Sequence, residues 1–125
     1  MKTLLTTVAA ALLTLTTAPL LAEDMIPAEN ATRFVGKDGM VCGTVEKARY
    51  AEGSEGQPTF LYMGGKFPRH TFSARIDGAD RGKFPVAPES LEGKAVCVIG
   101  KIARDNARAE IVLSSPSNLK LATIK

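Results

Sequence analysis

The sequence predicts an all-β domain: five short strands that curl into a small barrel. Three observations carry this expectation. Five short runs either alternate apolar with polar residues or concentrate β-branched and aromatic ones. Glycines interrupt the first run, at Gly43, and the fourth, at Gly100, where a strand must coil sharply. Polar connections rich in Gly, Pro and Asp separate the runs, and a long one lies between the third and the fourth.

The elements follow in order. Residues 23–38 form an N-terminal segment. Within it, Ala28 to Val35 is expected to make a short helix or turn after Pro27, with Phe34 and Val35 packing inward and Gly36 as the stop. The first strand covers Met40 to Ala48, with Val41, Gly43 and Val45 on one face and Thr44 and Glu46 on the other. A polar loop, Ala51 to Gly56, leads to the second strand, Thr59 to Met63. Gly64-Gly65 then turns the chain into a basic, aromatic connection, Lys66 to His70. In the third strand, Thr71 to Ile76, residues Phe72, Ala74 and Ile76 alternate with Thr71, Ser73 and Arg75. Turn residues fill Asp77 to Pro85, and a short helical turn is expected near Pro88 to Leu91. The fourth strand, Lys94 to Ile102, sets Val96, Val98 and Ile102 on one face. A polar turn, Arg104 to Arg108, precedes the short fifth strand, Ala109 to Leu113. The tail carries Leu119, Leu121 and Ile124, which either complete the barrel or meet a partner.

The chain has 125 residues, 45% hydrophobic and 23% charged, which suits one globular domain and excludes a multidomain enzyme or a disordered chain. The net charge of +3 is too small to announce a nucleic-acid binder; only clustering of the cations could do that. Residues 1–22 read as a secretory signal: Lys2, an uncharged run from Leu4 to Leu21 broken by Pro19, then Ala22 before Glu23 and Asp24. An uncleaved anchor is the alternative, although the run barely reaches spanning length. The expected location is periplasmic or secreted, with no membrane insertion once the signal is removed. Residues 39–125 then form the barrel domain.

Export changes what the two cysteines mean. In an oxidising compartment a pair of Cys in a small domain usually forms a disulfide. Cys42 and Cys97 each sit in a strand, in the register opposite to the flanking valines. If those strands are neighbours, both sulfurs leave the same face. A bridge would close a loop of about 55 residues and contribute about 4 kcal/mol. Two free buried thiols are the alternative.

Five short strands, coil glycines in the first and fourth, and a long third-to-fourth connection describe an OB-fold barrel. The wording is also specific. Val41-Cys42-Gly43-Thr44-Val45, Pro58-Thr59-Phe60-Leu61 and Phe72-Ser73-Ala74-Arg75-Ile76 follow in order. After them come Gly78-Ala79-Asp80-Arg81 with Phe84, Leu91-Glu92-Gly93-Lys94, Val96 to Ile102, and Glu110 to Ser117. Across about residues 34–120 the chain resembles small exported bacterial OB-fold domains of nucleic-acid-binding or uncharacterised type. The resemblance implies that the first and fourth strands are antiparallel neighbours, which supports a Cys42–Cys97 bridge.

Catalysis finds little support. The only histidine, His70, lies beside Arg69 in a loop, where a solvated side chain is the ordinary role. Asp77, Asp80 and Arg81 could serve metal-dependent hydrolysis, yet Asp-Gly-Ala-Asp is common turn chemistry. One His and two Cys cannot close a four-ligand zinc site without carboxylates. No Lys-Ser or Lys-Thr follows Gly53 to Gly56, which excludes a phosphate loop. No enzyme activity, metal or cofactor is therefore expected.

Binding of single-stranded DNA or RNA is the favoured function. OB barrels use their second and third strands with the flanking loops, stacking bases on aromatics and tracking phosphates with cations. If Leu61 and Met63 point inward, Phe60 and Tyr62 point outward beside Arg75; the opposite register would bury both rings and remove the stacking platform. Lys66, Arg69 and His70 would edge this face, with Arg104 and Arg108 on the last loop. Weak, salt-sensitive, non-specific binding is the expected form. Glu52, Glu55 and Asp105 oppose it and favour the alternative, a periplasmic stress or adaptor module for a protein, a peptide or a small cationic ligand.

Overall fold

A computed structural model describes residues 25–122; the expected signal segment and Ile124 lie outside the described residues. Within them the protein is an all-β domain of two sheets with a few short helical turns. The strands are β1 (Met25–Pro27), β2 (Asp38–Thr44), β3 (Lys47–Tyr50), β4 (Thr59–Met63) and β5 (Phe72–Ile76). Then follow β6 (Ala95–Lys101), β7 (Ala103–Asp105), β8 (Arg108–Val112) and β9 (Leu119–Leu121). The expected N-terminal helix is a 3-10 helix over Ala28–Phe34, and the expected turn before the fourth strand is a 3-10 turn over Pro88–Leu91. One α-helical turn, Gly78–Arg81, lies between β5 and that turn.

The expectation of a single five-stranded barrel needs correction. The hydrogen-bonded strands fall into a four-stranded sheet, in the order β1-β2-β6-β9, and a five-stranded sheet, in the order β3-β4-β5-β8-β7. The physical reason is a change of partner at two corners. The Val45 N–H donates to Lys94 at 2.9 Å, whereas the next N–H, that of Glu46, donates to Tyr62 at 2.8 Å. The expected first strand therefore splits into β2 and β3. Likewise Ile102 separates β6 from β7, its N–H donating to Lys37 at 2.8 Å and its carbonyl accepting from Gly36 at 2.7 Å.

The first corner also shifts the alternation of side chains. Val45 is fully buried and Ala48 packs against the core, so Lys47 and Arg49 turn outward. Elsewhere the expected faces hold, with Phe72, Ala74, Ile76, Val96, Val98 and Ile102 all fully buried, and of the two registers open to the second strand the one that buries Leu61 and Met63 is found. The tail completes a sheet, Leu119 to Leu121 pairing with Val98 to Val96 of β6. Two glycines are needed for close approach. A Cβ on Gly43 would lie 3.1 Å from that of Ala28, where the 3-10 helix presses on β2, and one on Gly100 would lie 2.8 Å from Ile111 Cγ2.

Cys42 and Cys97 face each other across antiparallel β2 and β6 and form a disulfide. The sheet edges are short. β1, β7 and β9 have three residues each, and on edge strand β3 the Ala48 N–H donates to the Glu92 carboxylate at 2.7 Å. Among the described residues no helix is long and apolar enough to cross a membrane.

Candidate nucleic-acid interface

The outer face of the five-stranded sheet follows from strand register. Leu61 and Met63 enter the core, so Phe60 and Tyr62 face the other way. Antiparallel and parallel pairing then aligns Lys47, Tyr62, Ser73 and Glu110 in one row, and Arg49, Phe60, Arg75 and Val112 in the next. The Phe60 and Tyr62 rings lie side by side, 5.9 Å apart and within 5° of parallel. The loop after β4 folds back over this face and brings Phe67 to 5.0 Å and His70 to 4.2 Å from the Tyr62 ring. A cleft of about 350 Å³ results, lined by Arg49, Phe60, Tyr62, Phe67, Pro68, His70, Ser73, Asp105 and Arg108.

Not every sequence-predicted residue keeps its expected role. Phe60 is half-buried and remains available as a stacking surface. Tyr62 lies on the expected face, but it is only 6% exposed because Phe67 and His70 cover it. His70 is a wall of the cleft and not a solvated loop residue: it is 5% exposed and stacked on Phe67 within 11°. The Arg75 charge is taken up by ion pairs to Asp77 at 3.2 Å and Glu110 at 3.5 Å. Arg108 works on the protein itself. It donates to the His70 carbonyl at 2.7 Å and to that of Pro68, tying down the loop that covers Tyr62. Lys66, Arg69 and Arg104 are exposed.

Three residues escaped the sequence reading as parts of the site. Lys47 and Arg49 flank the aromatic rows, with Lys47 Nζ 5.8 Å from the centre of the Phe67 ring and Arg49 Nη1 donating to the Tyr62 hydroxyl at 3.5 Å. Phe67 is the third; Asp105, the acid expected to oppose phosphate, does line the cleft. An aromatic residue before Pro68 in a basic loop was the available signal for Phe67. No local signal marked the two cations, since the corner at Val45 inverts their phase.

The acidic groups raised as hydrolytic candidates serve structure. Asp77 pairs with Arg75, Asp80 with Lys83 at 2.8 Å, and Arg81 with Glu89 at 2.7 Å. Arg81 also stacks 3.7 Å over the Tyr50 ring and donates to Thr59 Oγ1 at 2.8 Å. Its hydrogen bonds hold the Glu89 carboxyl below the usual range. Burial pushes the Glu110 carboxyl up, against the pull of Arg75. Among the described residues no group of three or more His, Cys, Asp or Glu comes together.

Burial also lowers the His70 pKa from its ordinary 6.5; Arg108 adds to that, and Asp105 opposes it. The folded protein thus favours neutral imidazole. The resulting stability is full above the unfolded value of about 6.5 and is lost as pH falls from there through the lower folded value. Urea midpoints should therefore drop between pH 7.5 and pH 5.5 by more in the wild type than in His70→Gln. The raised Glu110 acts in the opposite sense in both proteins, so the difference isolates the histidine. An equal drop in both would remove His70 as its cause.

No family model matches the chain, and no curated protein matches it. Among solved structures it is similar to a chain described as an aspartyl-tRNA synthetase from Leishmania major Friedlin. That likeness has a TM-score of 0.52 at 15% identity and covers 94% of this chain and 24% of the other. An aspartyl tRNA synthetase from Entamoeba histolytica aligns at 12% identity with a TM-score of 0.48, covering 91% of this chain and 25% of the other. The chain thus spans about a quarter of each protein. The likeness to the first is one of fold alone.

Proposed function

We propose that the protein is an exported OB-fold module, akin to the small bacterial domains it resembles, that binds single-stranded nucleic acid weakly and without sequence preference. The fold assignment comes from reading through the two corners. Joining β2 with β3 and β6 with β7 leaves five long strands. The first is then antiparallel to the second and the fourth, and the third parallel to the fifth, as in an OB barrel. Likeness to part of a synthetase chain is in keeping with this assignment. Export is supported by the apolar leader and by the disulfide, which needs an oxidising compartment to persist.

The observation that carries the function is the half-exposed Phe60 ring, backed in parallel by the covered Tyr62 and neighboured by the exposed Phe67, with Arg49 and Lys47 opposite Phe60 and Tyr62 in register. Flat rings stack on any base, and adjacent cations track phosphate without reading sequence. Asp105 in the same cleft favours the second reading, a small cationic ligand or a basic peptide segment.

Fluorescence polarisation with labelled single-stranded DNA and RNA separates the two. Saturable binding that weakens between 50 and 200 mM salt is the expected result. Phe60→Ala combined with Arg49→Ala should weaken it by about 1–3 kcal/mol through lost stacking alone, and the fold should survive because both side chains face outward. Affinity unchanged in that double variant would overturn the site. Absence of binding at about 100 µM protein in low salt would turn the assignment to the cationic ligand.

A further inference from the structure

We propose that His70 makes the cleft proton-responsive: single-stranded nucleic acid binds more tightly when the imidazole takes up a proton. This rests on the nucleic-acid reading above and adds a control to it. His70 is the only histidine in the chain. Its ring forms a wall of the cleft against Phe67 and Tyr62, and its Nδ1 is buried without a hydrogen-bond partner in the protein. Buried polar atoms are nearly always paired, so an orphaned ring nitrogen calls for a reason. Protonation there breaks no existing bond.

The groups around the ring determine the direction of the effect. Arg108 on β8 donates to the His70 carbonyl, and Arg49 on β3 lines the same cleft. Lys47, also on β3, sits over Phe67. Lys66 and Arg69 are exposed on the loop that carries the histidine. Asp105 on β7 is the acid lining the cleft, since Glu110 on β8 is engaged by Arg75. Tyr62 on β4 and Ser73 on β5 are neutral. Two cations, Arg49 and Arg108, face one acid, Asp105, in the lining of the cleft, and in the free protein a further positive charge is unwelcome. A phosphodiester entering the cleft reverses that balance. Proton and polyanion then favour each other's binding, and the linkage is reciprocal: acid raises affinity, and the nucleic acid raises the histidine pKa.

The test uses a labelled 12-residue oligothymidylate, with pH stepped from 7.5 to 5.5 at constant ionic strength. Ordinary carboxylates stay ionised across that range, and the raised Glu110 is common to the wild type and His70→Gln, so it cancels in their comparison. Wild-type affinity should rise, with about tenfold as the limit that a one-unit increase in the His70 pKa on binding sets. His70→Gln should show no such rise. Because the chain has a single histidine, its ring-proton NMR signals report that pKa directly, with and without saturating oligonucleotide. They decide the matter in the wild type even if the variant folds poorly. An unchanged histidine pKa, or the same pH dependence in His70→Gln, would overturn the proposal while leaving the nucleic-acid reading in place. No binding of the oligonucleotide at any pH would overturn that reading, and the proposal with it.

Discussion

Replacing Cys42 and Cys97 together by Ala should lower the free energy of unfolding by about 4 kcal/mol. The bridge spans 55 positions in sequence, and in the chain-entropy account its main effect is to restrict the unfolded chain. It also joins the two central strands of the four-stranded sheet, β2 and β6, on which both edge strands depend. Small domains have only about 5–15 kcal/mol in total, so the variant should sit near the limit of folding at 37 °C. Urea unfolding of the variant, and of the wild type with and without dithiothreitol, measures the effect. Agreement between the reduced and substituted proteins is expected. A loss under about 1 kcal/mol would mean that the reduced chain is already restrained by other contacts.

Phe72→Ala should cost a comparable amount, about 3–5 kcal/mol. Phe72 is the largest side chain with no exposure, and it opens β5 between Met63 of β4 and Ala109 of β8. Strands hydrogen-bonded on both sides cannot close in on the space it leaves, so the cavity persists. Phe72→Leu keeps most of the volume and should cost less than half as much. Thermal or urea unfolding of the two variants provides the comparison. Equal costs would mean that shape, not lost volume, governs the site. Neither change touches the cleft directly, since Ser73 and Arg75 are the residues of β5 on the outer face.

Much of this architecture is written locally. The alternation in Phe72–Ile76 and Ala95–Lys101 assigns the inward valines, Phe72, Ala74 and Ile76 correctly, because a strand with one buried face has a fixed period of two. Phe60 to Met63, by contrast, are all apolar or aromatic and leave both registers open. The corner at Val45 was not legible. It depends on hydrogen bonds to Lys94 and Tyr62, and only the assembled sheets bring those carbonyls together. Lys47 and Arg49 were missed for that reason alone. The burial of Tyr62 and His70 is likewise a long-range effect: Arg108 reaches back 38 and 40 positions to hold the covering loop. Arg75 reads as a free cation until the parallel pairing of β5 with β8 brings Glu110 beside it.

The short sheet edges have a consequence for how the folded protein behaves when concentrated. An unpaired strand edge is a template on which another chain can add, and long flat edges are the hazard. Among the described residues β1, β7 and β9 offer only three residues apiece. On β3 the Glu92 carboxylate already occupies the Ala48 N–H, and Lys47 and Arg49 place like charges where a second copy would dock. Native molecules therefore have little means of extending one another's sheets into fibrils. Sheet-to-sheet growth then has to begin from unfolded chains, so whatever opens the core or reduces the bridge also determines how readily the protein forms fibrils.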